Sequence, residues 1–412
     1  MTSSSLSIVS LTRALNRGGN LIQRASGRQL VRLDPDVLCE EACRRTGLED
    51  FDDDGVFDEA LGRVVRSMRH ESGLSLVGRI AARQDLLRLL ANRLRLVADR
   101  GRFPEIAAEK VRRPLFVTGL PRTGTTLLHG LLAQDPANRA PLHWEMIFPS
   151  PPPERARFAT DRRIAAAERQ LRWFQRLQPD LERIHPVGAR MPEECLVITS
   201  HSFLSFQFQT THHVPSYEAW LEAHDLRACY EWHRRFLQHL QWRCAGERWV
   251  LKAPAHLFGL PALFASYPDA GVIFTHRDPL EVAPSLASLT TTLRSTFSST
   301  VDPVAVGREM TDRWARGIER ALRDRDAGCA PAGRFLDVHY TQLLRDPIGT
   351  VRTIYRHYDL PFTAEAEARM RDFLAENPKD KHGRHRYTLA DFGLDADEER
   401  ARYARYRRRF DL

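Results

Sequence analysis

The feature that most constrains the fold of this chain is a short apolar run that leads into a glycine-rich turn and then a helical pattern. Residues 115–117 are continuously apolar, as is typical of a buried strand, and leucines recur at helical spacing over residues 127–132. A strand, a turn and a helix in this order direct backbone N–H groups and the positive end of the helix to one place. The stretch therefore predicts an anion-binding loop, in preference to a turn that only joins a strand to a helix.

The turn itself, residues 119–126, has the sequence GLPRTGTT. Its two glycines have the spacing of the nucleotide-hydrolase pattern G-x-x-x-x-G-K-[ST], and Thr126 stands at the hydroxyl position. Thr125, however, replaces the lysine that would contact the β- and γ-phosphates of a triphosphate. Arg122 supplies a forked cation inside the turn instead. We therefore expect a smaller anion than a nucleoside triphosphate at this loop.

Three further apolar runs predict additional strands at residues 248–252, 271–277 and 334–338, and helical patterns lie between them. Strands that alternate with helices predict an α/β fold with a central parallel sheet flanked by helices. In such a sheet the ligand crevice lies beyond the carboxyl ends of the strands. The polar residues at or just beyond these predicted ends are Lys252, His256, Arg277 and Tyr340.

The chain is expected to divide into two parts. Residues 1–110 form an N-terminal helical region without a recognisable chemical site, and about the first 30 of them are expected to be irregular. Residues 111–412 form the main domain, with a mostly helical insertion at about 150–245. Within the insertion, the aromatic stretch 203–220 either lines an acceptor pocket or forms ordinary core, and the pattern over 154–183 predicts one long helix.

Composition limits the classes of protein to which this chain can belong. Of its 412 residues, 42% are hydrophobic, but no apolar run approaches the roughly 20 residues that a membrane-spanning helix needs. Because a continuous apolar signal segment is missing, a cytoplasmic protein is expected. The six cysteines include no C-x-x-C pair, so neither a zinc site nor a disulfide framework is predicted. The formal net charge of +8 favours anionic ligands.

Four motifs in this order resemble those of sulfotransferases that use 3′-phosphoadenosine 5′-phosphosulfate (PAPS), and the bacterial and tyrosylprotein branch more than the cytosolic aryl branch. The loop at 119–126 is similar to the family's 5′-phosphosulfate loop, and 249–254 to the segment with its strand-end lysine. Residues 273–279 with Ser285 are similar to the segment that grips the 3′-phosphate, and 338–347 to a fourth family segment. The resemblance covers most of the main domain and leaves out the N-terminal region.

The resemblance implies a P-loop-like sulfotransferase fold, PAPS as the co-substrate and no metal ion. It implies that the loop holds the 5′-phosphosulfate, and the loop residues concerned are Arg122, Thr123, Gly124, Thr125 and Thr126. It assigns Arg277 and Ser285 to the 3′-phosphate and Lys252 to the leaving oxygen, where charge builds during sulfo transfer. Tyr340, in the fourth segment, is a further expected donor-site residue.

The sequence says less about the general base and the acceptor than about the donor-binding residues. An acceptor hydroxyl needs a base to take its proton, and Glu145 ranks first because it resembles the acidic base of the tyrosylprotein branch. His256, four residues after Lys252, ranks second, whereas Glu193 and Glu194 are more simply the start of a helix. A small molecule, a lipid or a saccharide is the expected acceptor, and the sequence leaves a homodimer open.

Two basic segments near the C-terminus have alternative interpretations. A loop with His382, Gly383 and Arg384 either closes over the donor's 3′-phosphate, as a late basic loop does in several sulfotransferases, or is a solvated surface loop. Residues 403–409 are expected to form an exposed helix end, or at most a contact to an anionic surface.

Two other functions compete with sulfo transfer. A P-loop kinase or nucleoside triphosphatase would share the strand, turn and helix, but Thr125 at the lysine position argues against it. A nucleic-acid-binding protein is suggested by charge alone, and no helix-turn-helix, zinc or aromatic-basic strand motif supports it. Sulfo transfer without a nucleic-acid partner is therefore the preferred prediction.

Overall fold

The computed structural model describes residues 16, 30–52, 55–177, 187–377 and 387–412. The strands in these ranges are β1 (Leu115–Gly119), β2 (Asn138–Arg139), β3 (Arg248–Lys252), β4 (Gly271–His276) and β5 (Phe335–His339). They form one parallel sheet in the order β2–β3–β1–β4–β5. The predicted α/β fold with a parallel central sheet is confirmed. β2 was not predicted, because a strand of two residues is too short to give a sequence pattern.

The residues of β1 explain why both faces of the sheet are covered. Side chains alternate along a strand, so neighbouring residues of β1 point to opposite faces. Phe116 joins a hydrophobic cluster that also contains Leu90 from the N-terminal region. Leu115 and Val117 join a second cluster, which contains Leu128 from the helix after the loop. Parallel strands are stable only when both faces are buried in this way.

The N-terminal region is helical, as expected. Its described helices are α1 (Pro35–Thr46), α2 (Phe57–His70), α3 (Leu76–Arg102) and α4 (Glu105–Ala108). Ser75 begins α3, because its hydroxyl accepts a hydrogen bond from the Gly78 backbone N–H. The stretch 1–30, expected to be irregular, lies outside the described residues except at positions 16 and 30. None of the helices in the described ranges combines the length and apolar composition that a bilayer crossing requires.

The chain between β1 and β3 is mostly helical. Its helices are α5 (Thr125–Leu132), α6 (His143–Ile147), α7 (Arg162–Leu177), α8 (Cys195–Ser200), α9 (Gln207–Thr211), α10 (Pro215–Ala223) and α11 (Arg227–Gln241). The single helix predicted over 154–183 is wrong at its start, since a 3₁₀ turn at Arg155–Thr160 precedes α7. Asp161 separates the two, because its carboxylate accepts a 2.9 Å hydrogen bond from the Arg163 backbone N–H.

The remaining described helices are α12 (Leu260–Ser266), α13 (Pro279–Phe297), α14 (Pro303–Asp326), α15 (Tyr340–Arg345), α16 (Pro347–His357), α17 (Ala364–Glu376), α18 (Ala396–Arg402) and α19 (Ala404–Phe410). Asp278 starts α13 at the end of β4 by accepting a hydrogen bond from the Leu280 backbone N–H. At the other end of α13, the Phe297 carbonyl accepts a 2.9 Å hydrogen bond from the Ser75 backbone N–H. This helix therefore runs from the carboxyl end of β4 to the start of α3.

The C-terminal helix α19 packs one face against the fold, so the expectation of an exposed helix end applies only to its outer face, where Arg405, Arg408 and Arg409 are exposed. Tyr403 and Tyr406 are buried, and the Tyr406 hydroxyl shares a 3.0 Å hydrogen bond with Nδ1 of His276 at the end of β4. Arg405 and Arg409 each form an ion pair with an aspartate of α14. Tyr406 thus joins the helix to β4, and the Tyr403 hydroxyl donates a 3.0 Å hydrogen bond to the Thr311 carbonyl of α14. The two arginines form ion pairs within the fold.

Candidate active site

The anion-binding loop joins β1 to α5, and two of its positions require glycine. Gly119 has a φ of 144°, and a Cβ there would collide with the carbonyl oxygen of Thr275 on β4. Gly124 has a φ of 87°, and its Cβ would lie 2.9 Å from the ring of Tyr340. The loop thus passes closer to β4 and to the start of α15 than a residue with a side chain could.

Arg122, in the middle of the loop, contacts two other parts of the chain directly. Its Nε donates a 3.2 Å hydrogen bond to Oγ of Ser285 on α13. Its backbone carbonyl accepts a 3.0 Å hydrogen bond from Nη1 of Arg277, the residue after β4. The Arg277 guanidinium lies 4.4 Å from the centre of the Tyr340 ring. Four residues expected at the donor site therefore meet in space, although they come from three separate segments of the chain.

Arg277 also has an acidic neighbour. Its Nε donates a 3.0 Å hydrogen bond to Oε2 of Glu281, one turn along α13. The side chain of Glu281 is 62% exposed. A pair between such exposed charges contributes only about 0–1 kcal/mol, so a phosphate group could displace the carboxylate at small cost.

The three loop threonines have different surroundings. Thr123 is buried, and its hydroxyl bonds within the protein, to the Leu120 carbonyl at 2.7 Å and to Thr275 Oγ1 at 2.6 Å. Thr125 and Thr126, in the first turn of α5, line a cavity beside the loop. The Thr123 hydroxyl thus shapes the loop, and the other two threonines are the ones that face this space.

The cavity has a volume of about 710 Å³ and two chemically different sides. The residues expected at the donor site that line it are Arg122, Gly124, Thr125, Thr126, Arg277 and Tyr340. Much of the remaining wall is apolar, and its residues include Leu171, Phe174, Phe206, Phe208, Leu289, Leu293 and Phe297. The same cavity is therefore lined by the loop at residues 119–126 on one side and by apolar side chains on the other.

The apolar wall draws on regions that the sequence analysis treated separately. Ala82 belongs to α3, so the N-terminal helices contribute to the cavity, which the sequence did not indicate. Within the aromatic stretch 203–220, Phe203, Phe206 and Tyr217 all belong to the hydrophobic core, and Phe206 also lines the cavity. Both interpretations of this stretch therefore hold, and for Phe206 they hold together.

Two adjacent carboxylates at the cavity wall each hold one functional side chain. Oε2 of Glu193 lies 2.9 Å from Nδ1 of His143, the first residue of α6. Oε1 of Glu194 accepts a 2.5 Å hydrogen bond from Nζ of Lys252, the last residue of β3. His143 and both glutamates line the cavity. The imidazole lines the cavity, whereas Lys252 is not one of the described cavity-lining residues and adjoins the site through Glu194.

Comparison with known proteins identifies the family. The profile of the sulfotransferase family matches residues 114–364, which is more than half of the chain. The chain belongs to the sulfotransferase family. The matched range begins just before β1 and includes the loop, both glutamates, Lys252, Arg277 and Tyr340.

Two solved sulfotransferases share this fold. The crystal structure of sulfotransferase STF1 from Mycobacterium tuberculosis H37Rv gives a TM-score of 0.81 at 35% identity, and the match covers 90% of this chain and 100% of that one. Sulfotransferase STF9 from Mycobacterium avium gives a TM-score of 0.85 at 33% identity, with 92% and 97% covered. Because the uncovered tenth is shorter than the N-terminal region, the likeness includes part of the N-terminal helices.

A relative by sequence has a named activity. The omega-hydroxy-beta-dihydromenaquinone-9 sulfotransferase Stf3 of Mycobacterium bovis and Mycobacterium tuberculosis is 27% identical over 288 residues. That match covers 67% of this chain and 70% of the relative. Sulfo transfer to an acceptor is the chemistry of this family, and membership in it sets aside the kinase and nucleic-acid-binding alternatives.

In this sulfotransferase, the residue ranked first as the base does not line the cavity. Glu145 is fully buried; its Oε2 accepts a 2.6 Å hydrogen bond from Arg139, and its Oε1 accepts one of 2.9 Å from the Leu142 backbone N–H. Burial raises the pKa of this carboxyl group, and the Arg139 charge opposes that shift. Oε1 thus caps the start of α6, and Oε2 joins the helix to Arg139 of β2. The role of Glu145 as the base stays a prediction, but the geometry favours another residue.

The second candidate, His256, is also enclosed. Its Nδ1 shares a 2.7 Å hydrogen bond with the Tyr230 hydroxyl, and its ring packs edge-on against Phe116 with ring centres 5.0 Å apart. Burial holds the pKa of His256 well below its usual value. Its Nε2 has no hydrogen-bond partner among the described residues. His256 is not one of the described cavity-lining residues, so its role as the base likewise stays a prediction.

His143 is the functional candidate that the sequence analysis missed. Residues two positions apart on an α-helix point about 200° away from each other, so His143 and Glu145 face opposite sides of α6. That spacing was a usable signal that only one of them can face a cavity. The partner of His143, Glu193, is 50 residues away in the sequence, and no local pattern connects the two.

The remaining expectations concern the basic loop near the C-terminus, metal ligands and the cysteines. The basic loop with His382, Gly383 and Arg384 lies outside the described residues. Within the described ranges, no group of three or more His, Cys, Asp or Glu side chains is arranged to hold a metal ion. All six cysteines lie in described ranges, and all are free thiols.

Proposed function

We propose that this sulfotransferase transfers the sulfo group of PAPS to the hydroxyl group of a lipid-like alcohol. The observation that carries the proposal is the single cavity, lined both by Arg122 and Arg277 and by apolar side chains such as Leu289 and Phe297. The two cations suit phosphate groups. The apolar walls suit a hydrocarbon acceptor better than a saccharide. The proposed donor and acceptor would therefore meet in one space.

The residues of the loop fit this donor. Gly119 and Gly124 leave no room for a Cβ, so backbone N–H groups can approach an anion closely. Arg122 and Arg277 add forked cations that match phosphate oxygens, and Ser285 adds a hydroxyl beside them. When bound, PAPS supplies a sulfo group attached to a phosphate that can leave. The loop and these side chains would bind and orient it.

Lys252 is proposed to stabilise the charge that develops on the leaving phosphate oxygen. It is paired in register with Val117, two residues before the loop begins at Gly119. Its side chain is 3% exposed, and Glu194 orients its ammonium group. A fixed donor at a developing charge typically contributes a factor of about 10²–10³ to turnover. Glu194 is then a positioning residue for Lys252.

His143 is proposed to remove the acceptor proton. Because Glu193 bonds Nδ1, Nε2 is the atom that takes the proton, and the carboxylate then pairs with the imidazolium. As the acceptor O–H bond breaks, an O–S bond to the acceptor forms and the S–O bond to the 5′-phosphate breaks. The product nucleotide, 3′-phosphoadenosine 5′-phosphate, keeps the bonding electron pair on its oxygen, next to Lys252. The proton on His143 passes to water afterwards.

The acceptor class is proposed from the cavity wall and from a relative. Gln209 Oε1 and His212 Nδ1 belong to residues that line the cavity, and both atoms are buried without a hydrogen-bond partner within the described part of the chain. Neither atom is exposed to the cavity, so the acceptor class rests on the apolar side chains of the wall. The name of the relative Stf3 states that it sulfates omega-hydroxy-beta-dihydromenaquinone-9, and a hydroxylated lipid suits this cavity too. A cytoplasmic location and a homodimer stay predictions.

Donor and acceptor are tested separately. Calorimetry in excess EDTA should show binding of 3′-phosphoadenosine 5′-phosphate, because the proposed site uses cationic side chains and backbone N–H groups alone. Binding that requires a metal ion, or a preference for ATP with magnesium, would overturn the donor assignment. A screen with labelled donor should favour long-chain alcohols over sugars and tyrosine peptides. Transfer to sugars or peptides alone would overturn the acceptor class.

A further inference from the structure

We propose that the exposed face of α7 is a docking surface for an anionic lipid bilayer, located at the mouth of the cavity. The surface consists of Arg169, Arg172, Trp173 and Arg176. It goes beyond the proposed function, because it concerns where the enzyme meets its acceptor and does not depend on the identity of the donor.

Trp173 marks the mouth of the cavity. It lines the cavity and is nevertheless 60% exposed, so it lies where the cavity meets solvent. The next residue, Phe174, also lines the cavity, and its ring stacks on Phe297 with ring centres 6.2 Å apart. Ile80, which is 44% exposed, adjoins Ala81 of the cavity wall. Two large apolar side chains are therefore exposed at or next to the wall of an apolar cavity.

Three arginines surround this tryptophan. Arg169 and Arg176 lie four residues before and three residues after Trp173, which places all three on one face of α7. Arg172 adjoins them, and all three arginines are exposed. The Arg176 guanidinium lies 5.9 Å from the Trp173 ring centre. Basic residues around an exposed tryptophan are typical of helices that lie on anionic membranes, where the indole ring sits at the level of the headgroups.

A bilayer is the partner that explains both the charge and the cavity. Anionic headgroups complement the three arginines, and the apolar layer beneath them can hold the exposed ring of Trp173. A lipid-like alcohol dissolved in that layer would enter the cavity at its mouth without passing through water. An acidic carrier protein would match the charge, but it would leave the exposed apolar side chains without an apolar medium.

Vesicle sedimentation tests the docking surface with the full chain. We expect the protein to sediment with vesicles of phosphatidylcholine and phosphatidylglycerol at about 0.1 M salt, and much less with phosphatidylcholine alone. The triple variant Arg169→Gln/Arg172→Gln/Arg176→Gln should bind about a hundredfold more weakly, since each basic residue contributes a factor of about five at an anionic surface. Trp173→Ala should weaken binding in a way that high salt does not mask.

A matched control separates this surface from net charge. Arg352→Gln/Arg369→Gln/Arg371→Gln removes the same charge from exposed positions on α16 and α17, which are not among the described cavity-lining residues. This variant should keep vesicle binding within about threefold of wild type. Absence of wild-type binding to anionic vesicles, or equal losses in the two triple variants, would overturn the proposal.

Activity distinguishes a failure of this inference from a failure of the proposed function. The α7 triple variant should retain turnover with a short, water-soluble alcohol and lose it with a long-chain alcohol embedded in anionic vesicles. If no alcohol is sulfated although vesicle binding depends on α7, the proposed acceptor is wrong and the docking surface stands. If the variant sulfates the embedded alcohol at the wild-type rate, the docking surface is refuted.

Discussion

The two faces of α6 each carry an ionisable side chain, one facing the cavity and the other facing the protein core. His143 faces the cavity and bonds Glu193, whereas Glu145 faces the core and bonds Arg139. The Glu145 side chain has no exposed surface, while that of His143 is 12% exposed. The direction of a side chain, set by helical spacing, therefore decides whether an ionisable residue faces the cavity or the core.

Replacing His143, on the cavity face of α6, should have the largest effect on turnover. His143→Gln keeps a hydrogen-bonding side chain but removes the proposed base, so turnover should fall by about 10²–10⁴-fold with donor affinity near wild type. Steady-state kinetics with saturating acceptor, together with donor calorimetry, measure both quantities. Glu193→Gln should cause a smaller loss, because it only loosens the imidazole. If His256→Ala abolishes turnover while His143→Gln retains most of it, the base is His256.

The core face should dominate stability. Glu145→Gln leaves the guanidinium of Arg139 buried without a counter-charge, and breaking such a pair typically costs about 3–5 kcal/mol. Urea unfolding should therefore show a large loss, while turnover per folded molecule changes by only a few-fold. A loss of more than about 10²-fold in turnover at unchanged stability would restore Glu145 as the base and reverse the comparison.

Replacing Arg277, at the proposed donor site, should change donor affinity more than turnover. Arg277→Ala removes a charged hydrogen-bond donor that would hold a phosphate throughout the reaction, so donor affinity should fall about tenfold or more with little change in turnover. Calorimetry with 3′-phosphoadenosine 5′-phosphate measures this. Glu281→Gln is the matched control: it removes the acidic neighbour of Arg277 and should not weaken donor binding. Unchanged donor affinity in Arg277→Ala would refute the assignment.

The pH dependence of stability extends the comparison to buried histidines. Burial lowers the pKa of His233 to about 3, below the value of about 6.5 expected in the unfolded chain. The contribution of neutral His233 to the free energy of unfolding is therefore fully present above about pH 6.5 and is lost as the pH falls towards about 3. His129 and His201, with pKa values lowered to about 3, and His239, lowered to about 4, act in the same direction.

Urea unfolding between pH 7 and pH 5 measures this dependence. Each such histidine steepens the fall of the unfolding free energy by up to about 1.4 kcal/mol per pH unit. His233→Gln should lower the stability at pH 7 but flatten the slope by about that amount. An unchanged slope would mean that His233 is already charged in the folded protein.

Local sequence patterns predicted most of the sheet and brought together the residues expected at the donor site. Short apolar runs predicted β1, β3, β4 and β5, and the strand ends located Arg122, Lys252 and Arg277 at one edge of the sheet. Asp278 and Pro279 marked the start of α13 correctly. These features depend on neighbours along the chain, through strand periodicity, helix capping and the conformational freedom of glycine, so the sequence displays them directly.

The tertiary structure alone decided which ionisable residues face the cavity and what its walls are made of. His143 meets Glu193 across 50 residues of sequence, and Ala82 of α3 reaches the cavity because α3 packs at the end of α13. Tyr406, which joins α19 to His276 at the end of β4, is another such case. The physical reason is the same in each: these contacts join distant parts of the chain, and their geometry is set by packing around a common core, which no local pattern records.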